Sequence, residues 1–519
     1  MPTIISPLER AQQALQQNVP ISEKISILRG LSASIGDRIQ AEQVETIFSV
    51  IPLSQFYHAL IMASDNYQEN NENEILTKVI CDLLLKLFSP FPYSYFTLGE
   101  QKEYLIHGLE HFSPHVRSLS LQLVDKCNDN PNDAFAMLTS EILLLVATTI
   151  AFQETHVADK AVDILYKACQ SYENCQIFMN SNCIPVLEQI MRVNETVSFR
   201  VYDLMMKIAS QSEQHVKLCE ESRIVQQLFV ELETDDLLLK MNAIELLNNV
   251  ASTPAGSQFL IRSEKLATLI APLLDMEDER DVAVVLTKCA VLKFFGHLAS
   301  NKNVNITLIQ NQCQILERLE KTIDSDNKEI ETVTLSCVGL IGSHLDGLRL
   351  VRGTVLLSKF MAIARTTSGD TKATIFQSLS KLIGVSDELN DDQVEAHTLE
   401  IYQSLPDQPN TIKNLISTVK QPVENIRISG FALLESIASH QWGRQALAQS
   451  FEFFGYILDR SNEHTQTGQM WKYGIIKTLI EGGREPESIF GRHFPLLQQY
   501  IQQGPYYQPS STAVAMESG

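Results

Sequence analysis

Along most of the chain, apolar residues recur at i, i+3 and i+4, the period of a helix with one buried face. Four such stretches close on the same ending: LMMKIAS (204–210), LLNNVAS (246–252), FFGHLAS (294–300) and LLESIAS (433–439). The final alanines stand at 209, 251, 299 and 438, so the first two intervals are 42 and 48 residues. The last interval, 139 residues, has room for three units of that size. CVGLIGS (337–343) and SLSKLIG (378–384) fall inside it, and ILYKACQ (164–170) and LVDKCND (123–129) continue the series upstream. A period near 42 residues with two or three helices per unit is the armadillo/HEAT pattern.

The clearest unit runs from Asp235 to Asp275. DDLLLKMNAIELLNNVAS reads as one helix, opened by acidic residues that suit the positive end of its dipole. Thr253-Pro254 breaks it, AGSQFLIRS follows, and EKLATLIAPLLD reads as another helix with Glu264 in its first turn. Residues 435–460 repeat this plan, with Gly443 at the offset of Gly256. No alternating stretch of any length competes, so strands are not expected. One helix pair has more apolar surface than it can bury, and stacking neighbours buries the excess. The expected fold class is all-α, an armadillo/HEAT-like right-handed α-solenoid superhelix. Residues 1–45 read as an N-terminal helical cap and 46–500 as the repeat array. Residues 501–519 read as a flexible C-terminal tail, because GPYYQPSSTAVAMESG has two prolines, small polar residues and no period. SPFPYSYF (89–96), NDNPND (128–133), SLPDQPN (404–410) and EGGREPES (481–488) read as inter-helix loops.

Composition changes this picture in one respect. The 519 residues would suggest three or four domains at ~150 residues each, whereas a repeat array makes them one body. With 41 Lys+Arg against 62 Asp+Glu the net charge is −21, which argues against a nucleic-acid or anionic-membrane binder. No two basic residues are adjacent, so a polybasic tract is excluded. The N-terminus MPTIISPLERAQQAL has neither a basic start nor an apolar core, and no export signal is expected. The longest apolar run, Ile142 to Phe152, would rise only ~16 Å as a helix and reads as buried. Nine scattered cysteines with no C-x-x-C pair signal neither zinc nor a redox dithiol. They read as small core residues, reduced as in the cytoplasm or the nucleus.

In armadillo-type repeats the helix with the A-x-x-x-L-x-x-x-A pattern lines a groove, and its i/i+4 slots share one face. Those slots hold Asp163 and Lys167, Asp203 and Lys207, Glu245 and Asn249, Lys293 and His297. All eight are polar, in four successive repeats, and they form the candidate protein-binding ladder. The structural reading is a wet helix face, in which acid-before-base pairs such as Asp163/Lys167 contribute only ~0.2–0.5 kcal/mol each. A nuclear-import adaptor would carry Trp and Asn in these slots. Here Asp163, Asp203, Glu245 and Lys293 stand where Trp would sit and only Asn249 fits, which disfavours that reading.

Three motifs suggest chemistry and fail on inspection. His107-Gly-Leu-Glu110-His111 matches the H-x-x-E-H zinc-peptidase pattern, but Gly108 and Ser113-Pro114 weaken the helix it needs and no third ligand follows. Gly342 to Gly347 has the glycine spacing of a phosphate loop without the lysine or preceding strand that supply its mechanism. The aromatic cluster Phe88, Phe91, Tyr93, Tyr95 and Phe96 reads as packing between repeats. No catalytic residue, metal or cofactor is expected, and the chain reads as a binding protein rather than an enzyme.

FRVYDLMMKIAS (199–210), VLKFFGHLAS (291–300), LDRSNEH (458–464), KYGIIKTL (472–479) and GPYYQPSSTAV (504–514) together resemble the proteasome non-ATPase regulatory subunit 5 family. The resemblance spans essentially the whole chain and involves no catalytic motif. It implies a non-enzymatic chaperone of regulatory-particle base assembly. Such a chaperone binds the C-terminal helical domain of base ATPase subunit 1, accompanied by ATPase subunit 2 and the large non-ATPase scaffold subunit. It leaves before the mature proteasome forms. A general armadillo-type scaffold or transport adaptor is the alternative. The resemblance carries no residue-level binding motif, so the ladder stands on its own.

Overall fold

In a computed structural model the described residues are 7–507, apart from 17–18, 37–38, 66–70, 386–391, 406–408 and 483–484. Among them every regular element is helical. They form two compact units, Met1–Leu228 and Phe229–Gly519.

Each unit is built on a row of long helices, each packed on the next. In the first unit the row is α1 (Ile21–Ser34), α2 (Asn71–Phe88), α3 (Pro114–Asp125), α4 (Thr155–Ala168) and α5 (Glu195–Ala209). In the second it is α6 (Leu237–Ala251), α7 (Val282–Ser300), α8 (Lys328–Ile341), α9 (Asp370–Ile383), α10 (Glu424–Ser439) and α11 (Gln466–Glu481). All eight sequence fragments that revealed the repeat fall at the C-terminal ends of these helices. Their buried positions, such as Leu204, Leu247, Phe294 and Leu433, form the apolar seam between neighbours. Stacking therefore buries what one helix could not, as the periodicity predicts.

Helix starts follow capping chemistry. Asp236 Oδ1 accepts from the N–H groups of Leu238 (2.9 Å) and Leu239 (3.2 Å) to open α6. Thr253 Oγ1 accepts from Gly256 N to open the short helix Pro254–Arg262. The third element of that unit differs from expectation. It is a π turn, Leu266–Ile270, continued as a 3₁₀ turn, Ala271–Asp275, and Glu264 precedes it at φ +53° rather than lying in its first turn. Pro272 explains this, since it has no N–H for the α-helical bond.

Successive repeats are stitched by side chains aimed at the preceding row helix. His215 Nε2 reaches Cys169 O (3.2 Å), His344 Nε2 reaches Ser300 O (2.6 Å) and His440 Nε2 reaches Ile383 O (2.5 Å). Each bond occupies a carbonyl of the helix end that has no partner within its own helix. Close backbone approach is a second stitch. A Cβ at Gly256, Gly347 or Gly443 would lie 2.3, 1.8 or 1.8 Å from the carbonyl oxygen six residues earlier. The shared offset of Gly256 and Gly443 thus marks a packing site, and Gly347 is a third instance.

The core absorbs the suspected motifs. Phe88, Phe91, Tyr93 and Phe96 are buried, with Phe88 edge-on to Phe96 at 5.1 Å. All nine cysteines are buried thiols. Among the described residues one helix, α7, is long and apolar enough to cross a membrane, but most of it is buried and its buried Lys288 pairs with Glu279 at 2.7 Å. At the C-terminal end the helix Phe494–Gln503 carries through the expected start of the tail at 501. Arg460 donates to the carbonyls of Tyr500 (3.0 Å) and Gly504 (2.9 Å), fixing the chain beyond it. Residues 508–519, the rest of the expected tail, lie outside the described residues.

Candidate partner-binding surface

The eight ladder residues lie on the row helices, two per helix, on faces open to solvent to differing degrees. Asp163 and Lys167 are on α4, Asp203 and Lys207 on α5, Glu245 and Asn249 on α6, Lys293 and His297 on α7. The first four belong to the first unit and the last four to the second. Each unit carries four of them, and the two sets differ in electrostatic character.

In the first unit the charges satisfy one another. Lys167 Nζ lies 2.8 Å from Asp163 and 3.8 Å from Asp125, and Lys160 lies 2.5 Å from Asp125. Lys207 lies 2.7 Å from Asp203. Burial pushes the Asp125 carboxyl up. The hydrogen bonds from Lys160 and Asn128 and the charges of Lys160 and Lys167 outweigh it, leaving that carboxyl below its ordinary value. The Asp163 hydrogen bond leads the causes that raise the proton affinity of Lys167. Such contacts join α3 to α4 and support the structural reading of these rungs.

In the second unit the rungs keep their charge unpaired. Glu245, Asn249, Lys293 and His297 are exposed. His297 Nδ1 lies 2.9 Å from Asn248 Oδ1, which ties α7 to α6. Neither Glu245 nor Lys293 has an ion pair among the described residues. Burial lowers the proton affinity of His297, and the charges of Lys381 and Lys293 lower it further. Lys381, on α9, belongs to this face and is absent from the predicted ladder. Its signal was in the sequence, because Lys381 is the fourth residue of SLSKLIG, as His297 is of FFGHLAS and Asn249 of LLNNVAS. On α8 the same position holds the half-buried Leu340, which interrupts the polar column.

The other candidate chemistry does not assemble. The helix carrying His107 ends at Glu110, and His111 turns out in extended conformation. Its Nδ1 accepts from Ser113 N (2.9 Å) and its Nε2 lies 3.2 Å from Ser64 Oγ. No group of three His, Cys, Asp or Glu side chains among the described residues is placed to hold a metal ion. Gly342 lies in the turn between α8 and the helix Leu345–Val351, and Gly347 lies inside that helix, packed against Ile341 O. Trp442 packs beside Tyr402 at 4.8 Å and donates to Thr398 Oγ1 at 3.2 Å.

Comparison with known proteins places this architecture. The chain resembles Kap95p in a solved complex with RanGDP (TM-score 0.53, 12% identity, covering 95% of this chain and 65% of that one), a likeness of fold alone. It is 25% identical over 527 residues to the 26S proteasome non-ATPase regulatory subunit 5 of Bos taurus, covering 99% of this chain and 96% of that one. It is 22% identical over 504 residues to the protein of the same name from Homo sapiens, covering 96% and 99%. The family model described as proteasome non-ATPase 26S subunit matches residues 10–519. The fold is thus of armadillo/HEAT-like type, and this chain belongs to the proteasome non-ATPase 26S subunit family.

Proposed function

We propose that the protein is a non-catalytic chaperone for assembly of the proteasome regulatory-particle base. In this reading it binds the C-terminal helical domain of base ATPase subunit 1. ATPase subunit 2 and the large non-ATPase scaffold subunit join the same intermediate, and the chaperone departs before the mature proteasome forms. The observation that carries the reading is relatedness over nearly the full length to proteins named as a proteasome regulatory subunit. The physical form suits it. A row of helices presents an extended face able to cover a small domain over a standard interface of roughly 1,600 Å² without a deep pocket. A polar, partly charged face also suits a contact that must later be released. The cytoplasm, and secondarily the nucleus, is the proposed compartment.

Affinity purification of the tagged full chain from cells, with identification of its partners, tests this. The expected result is recovery of base ATPase subunits 1 and 2 and the scaffold subunit without the proteolytic core particle. Recovery of none of them, or of complete proteasomes in their place, would overturn the reading.

A further inference from the structure

Two lysines on the second unit's row differ from those on the first. Lys167 and Lys207 each have a carboxylate within 2.8 Å, whereas Lys293 and Lys381 are exposed and have no hydrogen bond or ion pair among the described residues. Lys293 and His297 share one face of α7 at i, i+4 spacing, and Lys381 stands two helices along on α9. The packing at α8 brings these faces together. A Cβ at Gly296 would lie 2.9 Å from Leu340 Cδ1 and 3.5 Å from Cys337 Cα, and one at Gly339 would lie 2.6 Å from Ser378 Cα. Ser378 Oγ also donates to Leu335 O at 2.9 Å. The helices α7, α8 and α9 are therefore in near-backbone contact, and His297 lies within the electrostatic reach of both lysines.

Like charges held together without a counter-ion carry an internal cost. That cost is unnecessary for folding here, since the chain has 62 acidic residues against 41 basic ones from which to supply a partner. A local positive face on a chain of charge −21 is complementary to an acidic protein segment. A nucleic acid would meet the same net charge as long-range repulsion. The half-buried Leu340 between the cationic groups adds an apolar contact.

We propose that the α7–α9 face seats an acidic segment of the partner protein, with its carboxylates meeting Lys293, Lys381 and His297 and an apolar side chain resting on Leu340. This rests on the row face being the partner-binding surface and adds the chemistry of what it binds.

The test compares the full-length chain, Lys293→Glu/Lys381→Glu, and the charge-matched control Lys217→Glu/Lys413→Glu, all checked for fold by circular dichroism. If the first variant unfolds, Lys293→Gln/Lys381→Gln replaces it. The probe is a fluorescein-labelled octaglutamate peptide, titrated at low salt and followed by anisotropy. The wild type and the control should bind alike, and the Lys293/Lys381 variant at least tenfold more weakly. Equal binding by all three overturns the seat. Capture of base ATPase subunits by the same proteins separates the two readings. Loss confined to the Lys293/Lys381 variant supports the seat, whereas unchanged capture with unchanged salt dependence overturns the seat and leaves the chaperone reading intact. If the wild type captures no base subunit, the chaperone reading fails and the peptide titration alone decides the seat. A salt-sensitive dimer in sedimentation that the variant abolishes would assign the face to a second copy of this chain and overturn the proposal.

Discussion

Asp125 shows how one carboxylate can join two helices. It sits at the end of α3 and takes the charge of Lys160 and Lys167 from α4. Its proton affinity is below the ordinary value in the folded chain. The stability it contributes is therefore fully present above the unfolded value of about 3.9 and is lost as pH falls through the lower folded value. Asp125→Asn should cost about 1 kcal/mol at pH 7, read as a lower urea midpoint, and the difference from wild type should shrink progressively as pH falls below about 3.9. An undiminished difference at pH 3 would show that the charge is not what Asp125 contributes. Spacing identified Asp163/Lys167 and Asp203/Lys207 correctly as facing pairs, and the structure finds both closed. What spacing could not supply was Asp125, since its contacts with Lys160 and Lys167 span 35 and 42 residues and depend on how two repeats stack. Lys381, by contrast, was legible at the fourth position of SLSKLIG; what stacking adds is that α8 packs closely on both α7 and α9.

Between elements, the fold depends on glycines and histidines at fixed offsets. At Gly443 an added Cβ would meet Ile437 O at 1.8 Å, a backbone atom that cannot step aside. Gly443→Ala should destabilise the second unit by about 1–3 kcal/mol. Gly455, inside the helix Phe451–Ile457, has nothing within 4 Å of its Cβ position. Gly455→Ala should therefore stabilise by roughly 0.5–1 kcal/mol through helix propensity. Thermal or urea melts of the two variants should move in opposite directions; a shared direction would contradict the packing account. Glu395, on the helix Asp392–Ser404, accepts from Gln441 N (3.1 Å) and lies 3.1 Å from His440 Nδ1, so a carboxylate of one repeat caps the second helix of the next, Gln441–Ala448. The repeat itself was readable because the row helices α3 to α10 each end on a recurring seven-residue fragment. The π and 3₁₀ turns at 266–275 were less readable, because LATLIAPLLD keeps an apolar helical period through Pro272. Periodicity records which side chains are buried, whereas the backbone pattern also depends on which N–H is missing.

At the scale of the molecule, the sequence predicted one repeat array and the described residues form two compact units, each with its own row of helices. The net charge of −21 is unevenly spent. In the first unit the rung lysines are neutralised by their neighbours, while Lys293 and Lys381 in the second have no ion pair among the described residues. Charge reversal at those two lysines should thus weaken partner binding at least tenfold while leaving the melting temperature close to wild type. The converse, a large loss of stability with unchanged binding, would make them structural residues. The central claim is that this chain recognises a base ATPase, and the most direct measurement is calorimetric titration of the purified full chain with the isolated C-terminal helical domain of base ATPase subunit 1. The account predicts saturable one-to-one binding of micromolar or better affinity, at least about 8 kcal/mol, that weakens with added salt. Absence of binding by the folded domain at concentrations well above that range would contradict it.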